Sequence, residues 1–260
     1  MPDQLPNFEI QNGVAIVRFD RPEKYNSFTR AMSLRLQDNF RACADDPSIR
    51  AVLLTGMGKA FGAGQDLQEV TEDNGIDIGK ILQEHLNPLV QQIRNLKKPV
   101  VAAVNGVAAG AHANVALLCD VVVAAESASF IQAFTKIGLI PDSGGTHTLP
   151  RLVGWQRASA LMLLGDKISA TEAERMGMIY RVYPDSGFLE NALKLAAKLA
   201  QMPTRALALT KQALQASMTN DLENQLVLED KLQNTAAKTE DFAEGVHAFI
   251  EKRRAVFVGH

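Results

Sequence analysis

The chain has 260 residues, 47% of them hydrophobic, and a formal net charge of −2 at pH 7. This length suits one large domain or a domain with an appendage, and the small net charge excludes a global basic field that would attract nucleic acid. Polar residues interrupt every apolar stretch, so no membrane span is expected. Residues 1–10 (MPDQLPNFEI) show no signal peptide, and Cys43 and Cys119 are too few for a disulfide framework. We therefore expect a cytoplasmic protein with buried free thiols.

Strand and helix patterns alternate over the first half of the chain. Strands are predicted over 14–19, 51–55, 100–104 and 121–125, and helices over 30–44, 78–96 and 110–118. The last three strands are continuously apolar, which is typical of strands that are buried on both faces. Thr29 is the expected N-cap of the first helix. The alternation predicts an α/β fold with a mainly parallel sheet and crossover helices.

The pattern changes towards the C-terminus. After about residue 185 strand patterns stop, and helices with polar faces are predicted over 189–199, 204–218, 222–237 and 241–253. We therefore expect a core over residues 1–200 and a helical C-terminal region over residues 201–260. Such a region can lie on its own core or on a neighbouring subunit.

Two loops rich in glycine and alanine follow buried strands: GMGKAFGAGQD (56–66) and NGVAAGA (105–111). The first lacks the third glycine of the dinucleotide-binding motif, and no GxxxxGK[ST] phosphate loop occurs in the chain. Small residues let a ligand approach the main chain closely, and Gly110 and Ala111 begin a helix whose first N–H groups are free. Two such N–H groups that converge form an oxyanion hole. The alternative is that the small residues only permit tight packing.

Six blocks of the chain resemble the crotonase (enoyl-CoA hydratase/isomerase) family in order and spacing, from about residue 14 to the end. They are RPEKYNSF (21–28), GKAFGAGQDL (58–67), KPVVAAVNGVAAGA (98–111), ALLCDVVVAAESASF (116–130), GLIPDSGGTHTLPRLVG (138–154) and GVHAFIEKR (245–253). The resemblance implies a spiral of strand–strand–helix turns with a helical C-terminal trimerisation region. It also implies a homotrimer or a dimer of trimers that acts on an acyl-CoA thioester. No cofactor is expected beyond the coenzyme A of the substrate, and no Cys/His spacing predicts a metal.

The same resemblance assigns expected roles to individual residues. The N–H groups of Ala63 and Ala111 fall on the oxyanion-hole positions for the thioester carbonyl, and the backbone around Gln65 and Leu67 falls in the loop that binds adenine. Phe249 and Lys252 would often come from the adjacent subunit. The full set of expected substrate-binding residues is Lys24, Gly62, Gln65, Asp66, Leu67, Gly110, Phe249 and Lys252.

The catalytic positions depart from the hydratase pattern. Where hydratases of the family carry two glutamates, this chain has Asn114 and Phe134, and neither can act as a general base. Asp142, in GLIPDSGG, falls at or near the acid position of the family's isomerases. This stretch, with NGVAAGA and GMI (177–179), is most similar to the bacterial ring-1,2-epoxyphenylacetyl-CoA isomerases of the family. The alternative for Asp142 is a turn residue or a helix N-cap.

These observations predict an acyl-CoA isomerase in which Asp142 takes a proton from one carbon and returns it to another. The substrate would be an unsaturated acyl-CoA or a ring epoxide of phenylacetyl-CoA. His112 either polarises the thioester or is a packed, hydrogen-bonded histidine, His147 is a further candidate neighbour of Asp142, and Asp120 is expected to be structural. Two alternatives stay open: a hydratase that uses His112 or Asp142, and a family member that binds acyl-CoA without catalysis.

Overall fold

The strands form two sheets. The computed structural model describes residues 7–71 and 77–260, so residues 1–6 of the segment considered for a signal peptide lie outside it. The strands are β1 (Asn7–Gln11), β2 (Val14–Phe19), β3 (Ala51–Gly56), β4 (Ala60–Gly62), β5 (Val100–Val104), β6 (Val107–Ala109), β7 (Val121–Ala125), β8 (Ser129–Ile131), β9 (Lys167–Ser169) and β10 (Arg181–Tyr183). One sheet has the order β1-β2-β3-β5-β7-β10 and the other β4-β6-β8-β9. The first is parallel apart from the β1–β2 hairpin, as the alternation predicted.

The helices connect and cover these sheets. They are α1 (Arg30–Asp45), α2 (Gln68–Thr71), α3 (Ile78–Lys80), α4 (Asn87–Asn95), α5 (Ala111–Leu118), α6 (Gly145–Val153), α7 (Trp155–Leu164), α8 (Ala170–Arg175), α9 (Phe188–Ala200), α10 (Thr204–Ala216), α11 (Leu222–Ala236) and α12 (Glu240–Glu251). A π-helical segment, Ile81–Leu86, joins α3 to α4. The helix that was predicted over 78–96 therefore exists but contains an irregular central turn.

The fold repeats a unit of two strands and a helical segment. The pairs β3/β4, β5/β6 and β7/β8 each contribute one strand to the large sheet and the next strand to the small sheet. Each chain turn thereby advances both sheets by one strand, which confirms the predicted spiral of strand–strand–helix turns. Every residue of β3 and β5 is buried, as their uninterrupted apolar runs predicted.

Local sequence signals explain several element boundaries. Thr29 caps α1, since its Oγ1 accepts a hydrogen bond from Met32 N–H at 3.2 Å. The eight residues of α5 are all buried, and their alanine-rich sequence has no polar face, so this helix lies at the centre of the molecule. Cys43 and Cys119 are free and buried, as expected. Within the described ranges, no helix combines the length and apolar character that crossing a membrane would require.

The last four helices, α9 to α12, each lie within two residues of their predicted bounds, and α10 to α12 make up the C-terminal region. Arg50 attaches this region to the core by donating hydrogen bonds to Thr204 Oγ1 at 2.9 Å, Met202 O at 2.7 Å and Phe257 O at 2.6 Å. Large apolar side chains of α11 and α12 remain exposed on the single chain, among them Leu222, Val227, Phe249 and Ile250. The division at residue 200 stays a prediction.

Candidate active site

A cavity of about 200 Å³ opens where the two glycine- and alanine-rich loops meet. The described residues that line it are Ala63, Gly64, Gln65, Leu67, Val70, Ile78, Ile81, Leu82, Leu86, Gly110, Ala111, Ala133, Phe134, Ile137, Leu139 and Asp142. Most of these residues are apolar, so the cavity suits an apolar group. Among them, Asp142 carries the one ionisable side chain.

Ala63 and Ala111 border this cavity from two different loops. Ala63 follows directly after β4, and Ala111 is the first residue of α5. The loops touch, since a Cβ on Gly64 would lie 3.7 Å from the Ala111 nitrogen and 3.7 Å from the Gly110 Cα. The first N–H groups of a helix have no partner within the helix and carry partial positive charge. The loops thus bring to one cavity the two backbone positions that the sequence predicted as an oxyanion hole.

His112 lies behind the first loop and is not among the residues that line the cavity. Its Nδ1 accepts a hydrogen bond from Gly64 N–H at 3.1 Å, and its ring stacks on Phe28 with centroids 3.7 Å apart. Complete burial lowers the pKa of His112 to about 3, so the imidazole is neutral at pH 7. These contacts favour the packed, hydrogen-bonded histidine over a group that touches the thioester.

Asp142 lies in the turn before α6 and is one of the residues that line the cavity. Burial raises the pKa of Asp142 to about 6, although a hydrogen bond from Ser143 Oγ to its Oδ1 at 2.9 Å opposes the rise. Its backbone carbonyl accepts Gly145 N–H at 2.9 Å, which closes the turn. The N-cap of α6 is Gly144, with no side-chain cap. Asp142 is thus a turn residue, and the N-cap alternative is wrong.

The two positions where hydratases of the family carry glutamates lie in different surroundings in this chain. Asn114 is fully buried and does not line the cavity: its Nδ2 donates to Asp142 O at 2.8 Å, and its Oδ1 accepts from Gln132 Nε2 at 2.8 Å. Phe134 forms part of the apolar wall, with its Cζ 3.9 Å from the Cβ position of Gly110. One position therefore supports the turn that carries Asp142, and the other adds apolar surface to the cavity.

Comparisons with known proteins agree with this arrangement. Residues 9–260 match the family model described as enoyl-CoA hydratase/isomerase. The chain belongs to this family. The crotonase resemblance is therefore confirmed, and the chain is an enzyme of the enoyl-CoA hydratase/isomerase family.

Individual family members carry both kinds of name. A Rhodobacter capsulatus protein named as a probable enoyl-CoA hydratase is 46% identical over 97% of this chain and 97% of its own. The 1,2-epoxyphenylacetyl-CoA isomerase of Escherichia coli is 45% identical over 96% of this chain and 97% of its own. The crystal structure of an enoyl-CoA hydratase from Bacillus anthracis superposes with a TM-score of 0.92 at 33% identity, covering 99% of this chain and 100% of that one. Similarity alone therefore does not separate hydratase from isomerase.

The family positions predicted to bind substrate divide into two groups in this chain. Gln65, Leu67 and Gly110 line the cavity, whereas Gly62 lies beneath the His112 ring. Asp66 and Lys24 do not line it. The Asp66 carboxylate is ion-paired with Arg21 at 2.6 Å, and Lys24 Nζ donates to Gln68 Oε1 at 3.3 Å. A role for Asp66 and Lys24 in binding stays a prediction.

Arg21 is a residue that sequence reasoning missed, although it begins the first family block. Its guanidinium forms an ion pair with Asp66, at the end of the loop 56–66. Asp66 Oδ1 in turn accepts a hydrogen bond from Gln68 N–H at 3.0 Å, so Arg21 stabilises the end of this loop. Both side chains are largely buried, so the pair is held away from solvent. Nothing in the spacing of 45 residues could have indicated this contact.

The remaining candidates lie elsewhere on the chain. Phe249 borders a separate hollow among α10, α11 and α12, and Lys252 is the C-cap residue that follows α12. Neither lines the cavity of its own chain, so their role in substrate binding stays a prediction. His147 lines a different cavity from Asp142, beside Arg94 and Arg151.

Asp120 is structural, as expected. Its carboxylate accepts Val100 N–H at 2.8 Å and pairs with Lys211 at 2.8 Å. The described residues contain no group of three or more His, Cys, Asp or Glu side chains that could hold a metal ion.

Proposed function

We propose that this enzyme is an acyl-CoA isomerase that moves a double bond within an enoyl thioester, or isomerises a ring epoxide of phenylacetyl-CoA. One observation carries the proposal. The cavity that Ala63 and Ala111 border has Asp142 as the one ionisable side chain among its described residues, while both hydratase positions lack an acid. The identity of 45% to the Escherichia coli 1,2-epoxyphenylacetyl-CoA isomerase supports the same assignment.

The chemistry follows from these parts. With a 3-enoyl-CoA, the Asp142 carboxylate takes a proton from C2, and the electron pair moves to the thioester oxygen to give a dienolate. The two backbone N–H groups stabilise that oxygen as its negative charge develops. Asp142 then returns the proton to C4, the double bond settles between C2 and C3, and the thioester carbonyl reforms. The proton count balances with a single acid–base group and no cofactor beyond the coenzyme A of the substrate.

The surroundings of Asp142 suit this role. A carboxylate with its ordinary pKa of 3.8 is a weak base, whereas burial raises the pKa of Asp142 to about 6. At pH 7 the group is still mostly ionised and ready to accept a proton, and its conjugate acid forms readily. The apolar wall, which includes Phe134 and Leu139, keeps bulk water from the dienolate.

Hydration is the second candidate, because a named hydratase is 46% identical. Adding water to a 2-enoyl-CoA needs one group to activate the water and another to protonate C2. Asn114 has both ends of its amide engaged outside the cavity, and Phe134 has no proton to give. A non-catalytic acyl-CoA-binding role is the third candidate, and tight acyl-CoA binding without turnover of any enoyl or epoxide substrate would support it.

The coenzyme A part of the substrate and the assembly belong to the same proposal. Gln65 and Leu67 border the cavity on the side of the first loop, where the adenine would bind. The exposed apolar residues of α11 and α12 need a cover, and a homotrimer or a dimer of trimers would supply it. In such an assembly Phe249 and Lys252 would reach the coenzyme A of a neighbouring subunit.

The test is a substrate panel with one matched pair of variants. Wild-type protein should convert 3-enoyl-CoA to 2-enoyl-CoA, or consume the phenylacetyl-CoA epoxide, far faster than it hydrates crotonyl-CoA. Asp142→Asn should lose about 10²- to 10⁴-fold in turnover. Asp221→Asn, at the exposed N-cap of α11, is the control and should keep full activity. Rapid hydration of crotonyl-CoA, or full isomerase turnover in Asp142→Asn, would contradict the proposal.

A further inference from the structure

His112 touches the first loop on both sides of Ala63. On one side, the Gly64 N–H donates to His112 Nδ1 at 3.1 Å. On the other side, the imidazole lies directly on Gly62, where an added Cβ would fall 1.9 Å from His112 Cδ2. Only glycine fits beneath this ring, so Gly62 and His112 form a matched pair.

The ring itself is held rigidly. It stacks on Phe28 at 3.7 Å with an interplanar angle of 17° and meets Phe19 edge-on at 4.7 Å. Phe28 also binds the loop through its backbone, since its N–H donates to Gly64 O at 2.7 Å. Both polar backbone groups of Gly64 are therefore fixed, one by the His112 imidazole and one by the residue on which that imidazole stacks.

The hydrogen bond defines the tautomer of His112. Nδ1 accepts from Gly64 N–H, so it carries no proton, and a neutral imidazole must then carry its proton on Nε2. Nε2 is buried and has no hydrogen-bond partner among the described residues. Leaving one polar atom unpaired in the core costs stability, which argues that the contact at Nδ1 has a use.

We infer that His112 is a positioning residue that sets the distance between the two oxyanion-hole donors. The side chain starts on α5, one residue after Ala111, and ends on the loop at Gly64, one residue after Ala63. It thus ties the backbone that carries one donor to the backbone that carries the other. This inference rests on the proposed function, in which both N–H groups bind the thioester oxygen. A displacement of the donors by about 1 Å is enough to cost on the order of 10²-fold in rate.

Two variants separate the hydrogen bond from the packing. His112→Phe keeps a flat ring on Phe28 but removes the acceptor for Gly64 N–H. His112→Asn loses the ring but places Oδ1 close to the position of Nδ1. The probe is 4-(dimethylamino)cinnamoyl-CoA, a chromophoric 2-enoyl thioester whose absorption shifts to the red when hydrogen bonds polarise its carbonyl. An S-butyl thioether of coenzyme A, which has no carbonyl, is the matched control ligand.

Wild-type protein should red-shift the bound probe. His112→Phe should lose most of this shift and at least tenfold in kcat, with KM changed less than threefold, and His112→Asn should retain more of both. The dissociation constant of the thioether should stay within twofold in all three proteins. Equal losses in both variants, or a weakened thioether, would mean that packing alone explains the residue and would overturn the inference.

Two further outcomes keep the inference and the proposed function apart. A wild-type red shift that survives in His112→Phe overturns this inference alone, whereas no red shift in wild-type protein refutes the proposed use of the two N–H groups and the inference with it. Should His112→Phe fail to fold, nitrogen-15 NMR of the wild-type enzyme decides. At pH 7 it should show an unprotonated Nδ1 with a scalar coupling across the hydrogen bond to the Gly64 amide, and a protonated Nδ1 would overturn the assignment.

Discussion

Replacing the carboxylate of Asp142 by an amide should make the folded protein more stable while it lowers turnover by about 10²- to 10⁴-fold. The carboxyl group loses its proton near its ordinary pKa of 3.8 in the unfolded chain, but near about 6 in the folded protein. As the pH rises between these values, the unfolded state releases the proton first, so the folded state becomes less stable. Above pH 6 the whole penalty is present, about 3 kcal/mol at 1.36 kcal/mol per pKa unit. Asn carries no charge, so the Asp142→Asn variant does not have this penalty.

Urea unfolding of wild type and Asp142→Asn at two pH values tests this reasoning. The variant should be more stable by up to about 3 kcal/mol at pH 8, and the difference should shrink to about 1 kcal/mol at pH 4.5, where both states of the wild type hold more of the proton. The Ser143 hydrogen bond survives in the variant, because the amide oxygen accepts equally well. Asp221→Asn should change stability by less than about 0.5 kcal/mol at either pH, because Asn caps a helix as well as Asp. An Asp142→Asn protein that is equal to or weaker than wild type at pH 8 would refute the burial argument.

Three further outcomes are expected. First, isomerase kcat/KM should fall as the pH drops through about 6 and stay level above it, because the ionised Asp142 is the base; a profile that rises towards pH 5 would contradict this. Second, Asn114→Glu should lower the free energy of unfolding by at least about 2 kcal/mol without gaining crotonyl-CoA hydration, because a buried carboxylate would lose the donor to Asp142 O. Third, Lys252→Ala should weaken acyl-CoA binding several-fold in the assembled protein at low salt, with less effect at high salt; unchanged affinity at low salt would remove Lys252 from the site.

Several strands and helices could be predicted from the sequence because their hydrophobic patterns extend over five or more residues. The apolar runs of β3, β5 and β7 are five or six residues long, and the C-terminal helices repeat at helical spacing. The strands of the small sheet have three residues each, too few for any periodicity to show. The β1–β2 hairpin was missed although Asn12-Gly13, with φ of 51° and 78°, is a strong turn signal. Its first strand, NFEIQ, does alternate polar and apolar residues, but it is only five residues long and mostly exposed.

The candidate site shows a similar division. The family blocks predicted that Ala63, Ala111, Phe134 and Asp142 share one site, and the structure does bring all four to one cavity. The spacing of family motifs predicts where the backbone lies, so it correctly placed the two loops and the turn at Asp142 beside one cavity. It could not report which way a buried side chain points. The acceptor role of His112 depends on a rotamer and on a contact 48 residues away, which no local pattern encodes.

The two differences from the hydratase pattern, Asn114 in place of a glutamate and the acid at Asp142, depend on each other physically. Asn114 Nδ2 donates to the backbone carbonyl of Asp142, and a carboxylate at the same position would meet that carbonyl oxygen with no hydrogen to offer. A glutamate at position 114 and the present turn at Asp142 are therefore incompatible in this geometry. Losing the first acid supplies the amide that holds the second acid in place. Asp142 is thereby left as the one acid–base side chain among the described residues that line the cavity. A single group suits an isomerisation that takes a proton and returns it better than a hydration, which must take one proton from water and give one to C2.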